Sequence, residues 1–375
     1  MNSSTLVNPD FAVRPGGSRR LKRLVVLDRI ILLQRQWDEL RAMAEEVVEY
    51  GGLDPEEILR RLSQEADQVQ APMCWTQLAQ EEMTVQELND RVRGADAVIT
   101  CWTNIPDEVL LNNPQLKYLG FWTNLVDHRV NTTLAKSRGI EVTYIPDYGT
   151  DSVAEMTFAG LLAVNRRLMD NARDTKRGSW AYELLKTGKK VPSIEQIPQR
   201  MLNGKRLGIL GFGQIGQRVA ELAVAFRMEV CYWSRTRRKE CEQRGVRFLE
   251  IDELFSWADA VSVHLSPYGP AQIVSRDRLA ALKDGGVFVN TSAGRLVDQN
   301  ALWDELQSGR INAYIDVYEN LPPRKIISEL ASLNNLFTYR AAWFTQEAVT
   351  YKGDRLVENL REWLISGTFF RSSSS

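Results

Sequence analysis

Histidine is almost absent from these 375 residues: the chain has two, His128 and His264. Chemistry that moves protons on an imidazole near neutral pH has only those two places to run. Cysteine is nearly as scarce, and Cys74, Cys101, Cys231 and Cys241 show no CxxC spacing. That pattern excludes a disulfide framework and a zinc site, so no metal is expected, and it reads as reduced thiols in a cytoplasmic protein. Net charge is lacking too. Forty-seven Lys and Arg against 48 Asp and Glu leave −1, which points away from nucleic acid and anionic membrane surfaces. No apolar run approaches the roughly 20 residues of a membrane span. Residues 1–20 have no apolar h-region and read as a disordered tail, as do residues 371–375, which include Ser372–Ser375.

What the chain does have is concentrated between residues 205 and 238. An apolar strand, Leu207-Gly208-Ile209-Leu210, runs into Gly211-Phe212-Gly213-Gln214-Ile215-Gly216. Ile215, Val219, Leu222, Ala223 and Phe226 then recur at helical spacing, and a second strand follows at Glu229-Val230-Cys231-Tyr232-Trp233. This is a βαβ dinucleotide fingerprint. Gly211 makes the tight turn, Gly213 lets backbone approach a pyrophosphate, and Gly216 lets helix pack on strand. The helix N-terminus, with Gln214 and Ile215, offers N–H groups and a positive dipole end to the phosphates.

The end of the second strand bears on which dinucleotide binds. NAD selectivity calls for an acidic residue about 20 positions past the glycines. This chain has Ser234-Arg235-Thr236-Arg237-Arg238 there. A hydroxyl and guanidiniums suit a 2′-phosphate that an acid would repel, which favours NADP and leaves NAD as the alternative.

The length allows two domains, each with its own core. The first unit opens with a strand at Leu24–Leu27 and two polar helices between Ile31 and Gln70, separated at Gly51-Gly52-Leu53-Asp54-Pro55. Strands follow at Ala97–Thr100, Leu116–Leu119 and Ile140–Tyr144, with helical segments between them, so the sheet should be parallel. Pro146–Gly149 reads as the crossover, and Ser152 with Glu155 as the capping box of a helix reaching about Leu168. The second unit holds the fingerprint and strands at Ala260–Val263, Val287–Asn290 and Ala313–Val317. A long loop around Lys186–Lys205 precedes the fingerprint strand.

Several segments then follow in a fixed order: Ser152-Val153-Ala154-Glu155, the fingerprint, Val263–Pro267, Asn290-Thr291 through Val297-Asp298, Gly309-Arg310-Ile311 and Asp316-Val317-Tyr318. Together they resemble the D-isomer-specific 2-hydroxyacid dehydrogenase family, from about Leu116 to Ala348 and most clearly from Gly204 onward. The resemblance implies an α/β protein with two doubly wound parallel-sheet domains. A Rossmann cofactor domain (149–337) would be inserted into a flavodoxin-like substrate domain (21–148 with 338–370), and two copies would form a homodimer. It also places His264, Ser292 and Asp316 on the cofactor side.

The same resemblance exposes a departure. The family reduces 2-keto acids with an arginine, a glutamate and a histidine. Here the arginine's seat is Ala293, the glutamate's is Leu321, and the usual Pro-His pair is Tyr339-Arg340. Neither histidine takes the vacant role. Arg295 and Glu319, each two residues from a vacant seat, would regain its side in an extended loop. Arg340 can hydrogen-bond a carbonyl or carboxylate but cannot shuttle protons, since its pKa exceeds about 12. Tyr339 would serve as an acid only if a neighbouring cation lowered its pKa of about 10. The carboxylate-binding loop reads Trp122-Thr123-Asn124, bulkier than the family's glycines.

Trp102-Thr103-Asn104 and Trp122-Thr123-Asn124 follow successive strands, with Cys74-Trp75-Thr76 upstream. Ligands bind beyond the carboxyl ends of such strands, so Trp102, Thr103, Trp122, Thr123 and Asn124, with Trp343, are the expected substrate pocket. Two readings remain. One is an NAD(P)-dependent oxidoreductase with a rebuilt site, acting on an atypical carbonyl, imine or related small molecule. The alternative is a cofactor-binding pseudoenzyme serving as redox sensor or interaction module.

Overall fold

The computed structural model describes residues 20–51, 83–176, 199–242, 245–320 and 324–366. Both expected tails, the second polar helix, Cys74–Thr76, most of the Lys186–Lys205 loop and Leu321 lie outside these residues. The described chain divides into two compact units. One holds residues up to Tyr148 together with those from Val349 onward, and the other holds Gly149–Ala348.

The first unit is a parallel sheet of β1 (Leu21–Val26), β2 (Ala44–Glu49), β3 (Ala97–Thr100), β4 (Tyr118–Phe121) and β5 (Glu141–Thr143), in the order β2-β1-β3-β4-β5. That is the flavodoxin-like order, with its reversal between β1 and β3. β3 and β4 are buried at every position, as strands covered on both faces must be, and their sequences are mostly apolar. Where the sequence suggests continuous helix, the chain makes a helix only at Gln34–Met43 and then turns directly into β2. The reason is tertiary. Val47 and Val48 pair with Leu24 and Val25, and Val48 packs on the core, which outweighs the helical preference of the neighbouring glutamates.

The second unit is a parallel sheet of β6 (Arg206–Leu210), β7 (Glu229–Trp233), β8 (Val246–Phe248), β9 (Ala260–Val263), β10 (Val287–Asn290), β11 (Asn312–Ile315) and β12 (Leu336–Phe337). Their order is β12-β11-β10-β9-β6-β7-β8. Alternation along each strand divides the core. Leu207, Ile209, Tyr232 and Val289 pack under the helices Thr150–Asn165 and Gln214–Ala225. Leu210, Cys231, Val261 and Phe288 pack on the opposite face with Leu254 and Leu302.

Two local expectations change. The Thr150–Asn165 helix starts behind Gly149, so Ser152 is not its cap, and its hydroxyl instead bonds that of Thr345 at 2.9 Å. The strand β12 pairs with β11, inside the expected 149–337 bounds, but residues 338–348, expected in the first unit, also stay with this one. Residues 338–342 stay with this unit because Asp316 accepts backbone N–H groups from Arg340, Ala341 and Ala342.

Candidate active site

The glycine turn is built as the fingerprint requires. Gly211 has φ +101°, a left-handed conformation, and a Cβ there would sit 2.5 Å from the His264 carbonyl oxygen. A Cβ on Gly216 would strike the Gly211 carbonyl, so only hydrogen lets the Gln214–Ala225 helix rest on β6. Gly213 is different. It stands at the N-cap with φ −77°, and a Cβ there would meet nothing within 4 Å. Open space over Gly213, together with the first-turn N–H groups of Gln214, Ile215 and Gly216, fits a pyrophosphate cradle.

Of the basic cluster after β7, Arg237 is committed to Glu242 through two hydrogen bonds of 2.7 Å. Arg238 lies 4.0 Å from Glu240. The Ser234 hydroxyl donates to the Thr236 carbonyl at 2.6 Å, fixing the turn. Arg235 is exposed and forms no ion pair among the described residues.

The expectation that Arg295 regains the side of the Ala293 seat is not met. Ala293 precedes a 3-10 turn, Gly294–Leu296, so the chain is not extended there and the spacing argument for Arg295 fails. Its guanidinium donates to the carbonyls of Pro267 and Gly269 at 2.8 and 2.7 Å, bracing a loop. Glu319 is exposed, with its backbone N–H on the Gln299 side chain. Arg340 adopts a left-handed φ of +46° and donates its N–H to the Asp316 carbonyl at 2.9 Å. Tyr339 is exposed and stacks on Tyr318 at 6.4 Å between centroids. The Tyr318 hydroxyl donates to the carbonyls of Ile315 and Thr338, and burial raises its pKa well above that of a free phenol. Trp343 is half-buried, edge-on to Phe344.

Asp316 is buried, and its carboxyl oxygens accept from the Thr338 hydroxyl and the N–H groups of Ala341 and Ala342. Burial pushes its pKa up; these bonds and Arg340 pull the other way without reversing it. Ser292 ties the loop after β10 to the Leu265 carbonyl. The half-buried His264 has its ring within 2.7 Å of the Ser262 hydroxyl, and burial lowers its pKa to about 3. Burial therefore favours the neutral ring near neutral pH. Between about pH 6.5, the ordinary histidine value, and about 3, the unfolded chain takes up a proton here that the folded chain refuses. Stability should fall with pH across that window. Urea denaturation of His264→Asn should show a shallower fall from pH 7 to 5 than wild type; parallel curves would refute it.

In the first unit the two Trp-Thr-Asn loops have different fates. Asp28, just past β1, accepts from the hydroxyls of Thr100 and Thr103 and the N–H groups of Cys101, Trp102 and Thr103. This pins the Trp102 loop at the sheet's reversal point, while Arg129 stacks over the Trp102 ring at 4.9 Å. Trp122, expected as a pocket wall, is 1% exposed and belongs to the core. The ammonium of Lys352 lies 3.4 Å from its ring centroid. Thr103 and Thr123 are buried, and Asn124 is exposed.

Asp28 and Lys352 escaped the sequence reading, although Lys352 left a signal. Ala348, Lys352, Leu356 and Leu360 recur every four residues on the Gln346–Ser366 helix and all are buried, so a lysine interrupts an apolar stripe. Among the described residues no group of three His, Cys, Asp or Glu side chains could hold a metal ion, and no helix is long and apolar enough to cross a membrane.

Comparison with known proteins decides the family. Residues 158–339 match the model of the D-isomer specific 2-hydroxyacid dehydrogenase NAD binding domain. A hydroxypyruvate reductase of Blautia hydrogenotrophica is 32% identical over 285 residues, spanning 75% of this chain and 85% of that relative. The chain belongs to the D-isomer specific 2-hydroxyacid dehydrogenase family. It is an NAD(P)-dependent oxidoreductase. A glyoxylate reductase of Thermococcus litoralis is 35% identical over 243 residues, 63% of this chain and 70% of the relative. Among solved structures, an acyclic imino acid reductase in complex with NADPH and D-Arg superposes with a TM-score of 0.68 and 25% identity, covering 92% of this chain and 97% of that one.

Proposed function

We propose that this family member is an NADP(H)-dependent reductase whose preferred substrate is a 2-imino acid, taken as its iminium, in place of a 2-keto acid. One observation carries the reading: among the described residues, neither His264 nor Tyr318 is poised to donate a proton near neutral pH. His264 is neutral, Tyr318 is pinned to two carbonyls, and Arg340 does not release its proton. When bound, the nicotinamide supplies the hydride. A ketone also needs a proton as its oxygen takes up charge, whereas an iminium already carries its positive charge and ends as a neutral amine. Arg340 and Tyr339 then orient the substrate without exchanging protons with it. The similarity to an imino acid reductase supports this, and the hydroxypyruvate and glyoxylate reductases support a small 2-oxo skeleton.

The test is NADPH oxidation with glyoxylate or pyruvate, with and without methylamine. Turnover is expected to depend on the amine; equal rates without it would refute the imine reading. Arg340→Ala should cut turnover while leaving NADPH affinity near wild type.

The exposed Arg235 supports NADP over NAD. Arg235→Ala is expected to weaken NADPH by on the order of 10- to 100-fold, the loss of one charged hydrogen-bonded contact, with NADH nearly unaffected. Equal losses in parallel titrations would defeat the assignment. We further infer that the five-stranded unit presents the substrate and the seven-stranded unit the cofactor. A homodimer is the expected assembly, supported by the exposed Leu168 and Met169, and sedimentation velocity tests it.

A further inference from the structure

A lysine within an apolar helical stripe is a charge kept where a methionine would pack as well. Lys352 is 2% exposed, and its ammonium lies 3.4 Å from the Trp122 ring centroid and 4.1 Å from that of Tyr148. Two aromatic faces favour the charged form. Both rings belong to segments that follow β4 and β5 at the carboxyl end of the sheet, the edge on which open parallel sheets bind ligands.

The loop beside this ammonium has changed its donors. The Trp122 N–H is spent on the Thr100 carbonyl at 2.8 Å, prolonging the sheet. The backbone N–H groups of Thr123 and Asn124 donate to no acceptor among the described residues. Two N–H donors on this loop and a cation on the Gln346–Ser366 helix are a donor set suited to a small carboxylate.

We propose that Lys352 is the specificity-determining cation of this chain, holding the substrate's carboxylate with the Thr123 and Asn124 N–H groups. The proposal rests on the reading that the substrate is a small 2-oxo or 2-imino acid, but its test does not depend on turnover.

The full chain loaded with NADPH is titrated with oxalate, a small unreactive dicarboxylate, following tryptophan fluorescence. Wild type is expected to bind, and Lys352→Met to bind on the order of 10- to 100-fold more weakly with NADPH affinity unchanged. Replacing a buried charge by an apolar side chain of similar volume should leave the melting temperature equal or higher, so the loss of binding is read on a folded protein. If Lys352→Met does not fold, Lys352→Gln removes the charge but keeps a donor, and the same loss is expected. Undiminished oxalate binding by the variant, or no binding by wild type, overturns the proposal. Lysine-dependent oxalate binding without amine-dependent turnover would leave the anchor standing and remove the imine reading.

Discussion

Replacing Asp28 by Ala should destabilise the five-stranded unit by about 3–5 kcal/mol, the largest stability effect expected from one substitution in this chain. The carboxyl group of Asp28 gathers two hydroxyls and three backbone N–H groups. It is 4% exposed, so water cannot readily replace it. Each donor left without an acceptor in a buried place costs about 1–3 kcal/mol, reduced where the loop relaxes or water enters. At about 2–4 °C per kcal/mol, thermal unfolding should shift down by roughly 6–20 °C. Asp28→Asn should fall in between, because one carboxyl oxygen becomes a donor facing donors. A melting temperature for Asp28→Ala within about 2 °C of wild type would show that the nest of donors does not hold this loop.

The largest effect on binding is expected from Gly213→Val. Nothing in the protein lies within 4 Å of a Cβ at this position, and φ of −77° is open to any residue. Folding should therefore survive, at about 1 kcal/mol for a poorer N-cap. NADPH should nevertheless bind at least about 100-fold more weakly, or roughly 2.7 kcal/mol, because the new side chain fills the space the pyrophosphate needs. Gly216→Val should fail differently, by pushing the helix off β6 and lowering stability as well. If Gly213→Val bound NADPH like wild type, the cradle would be in the wrong place. The two glycines thus separate space reserved for a ligand from space required by packing.

Much of the second unit was legible because its rules are local. Strands Ala260–Val263, Val287–Asn290 and Glu229–Trp233 appear at the residues expected, since a strand covered on both faces is a short, mostly apolar run. The glycine turn was equally readable, because φ > 0 and close backbone approach can be met by glycine alone. The two-residue β12 and the three-residue β8 were not, being too short to show a period. β2 was missed for the opposite reason: its sequence favours helix, and only β1 beside it makes a strand the better choice.

The site divides along the same line. By itself the sequence determined the fold class and the dinucleotide turn, because each depends on which residues occupy a contiguous motif. Only the tertiary structure decided what neighbouring side chains do. Arg295 looked like a replacement but braces the loop at Pro267 and Gly269, and Trp122 looked like a pocket wall but lies in the core beneath Lys352. Asp28 and Lys352 meet partners more than seventy and two hundred positions away in the chain. Contacts at such separation are set by how strands and helices pack, and no local pattern of residues encodes them.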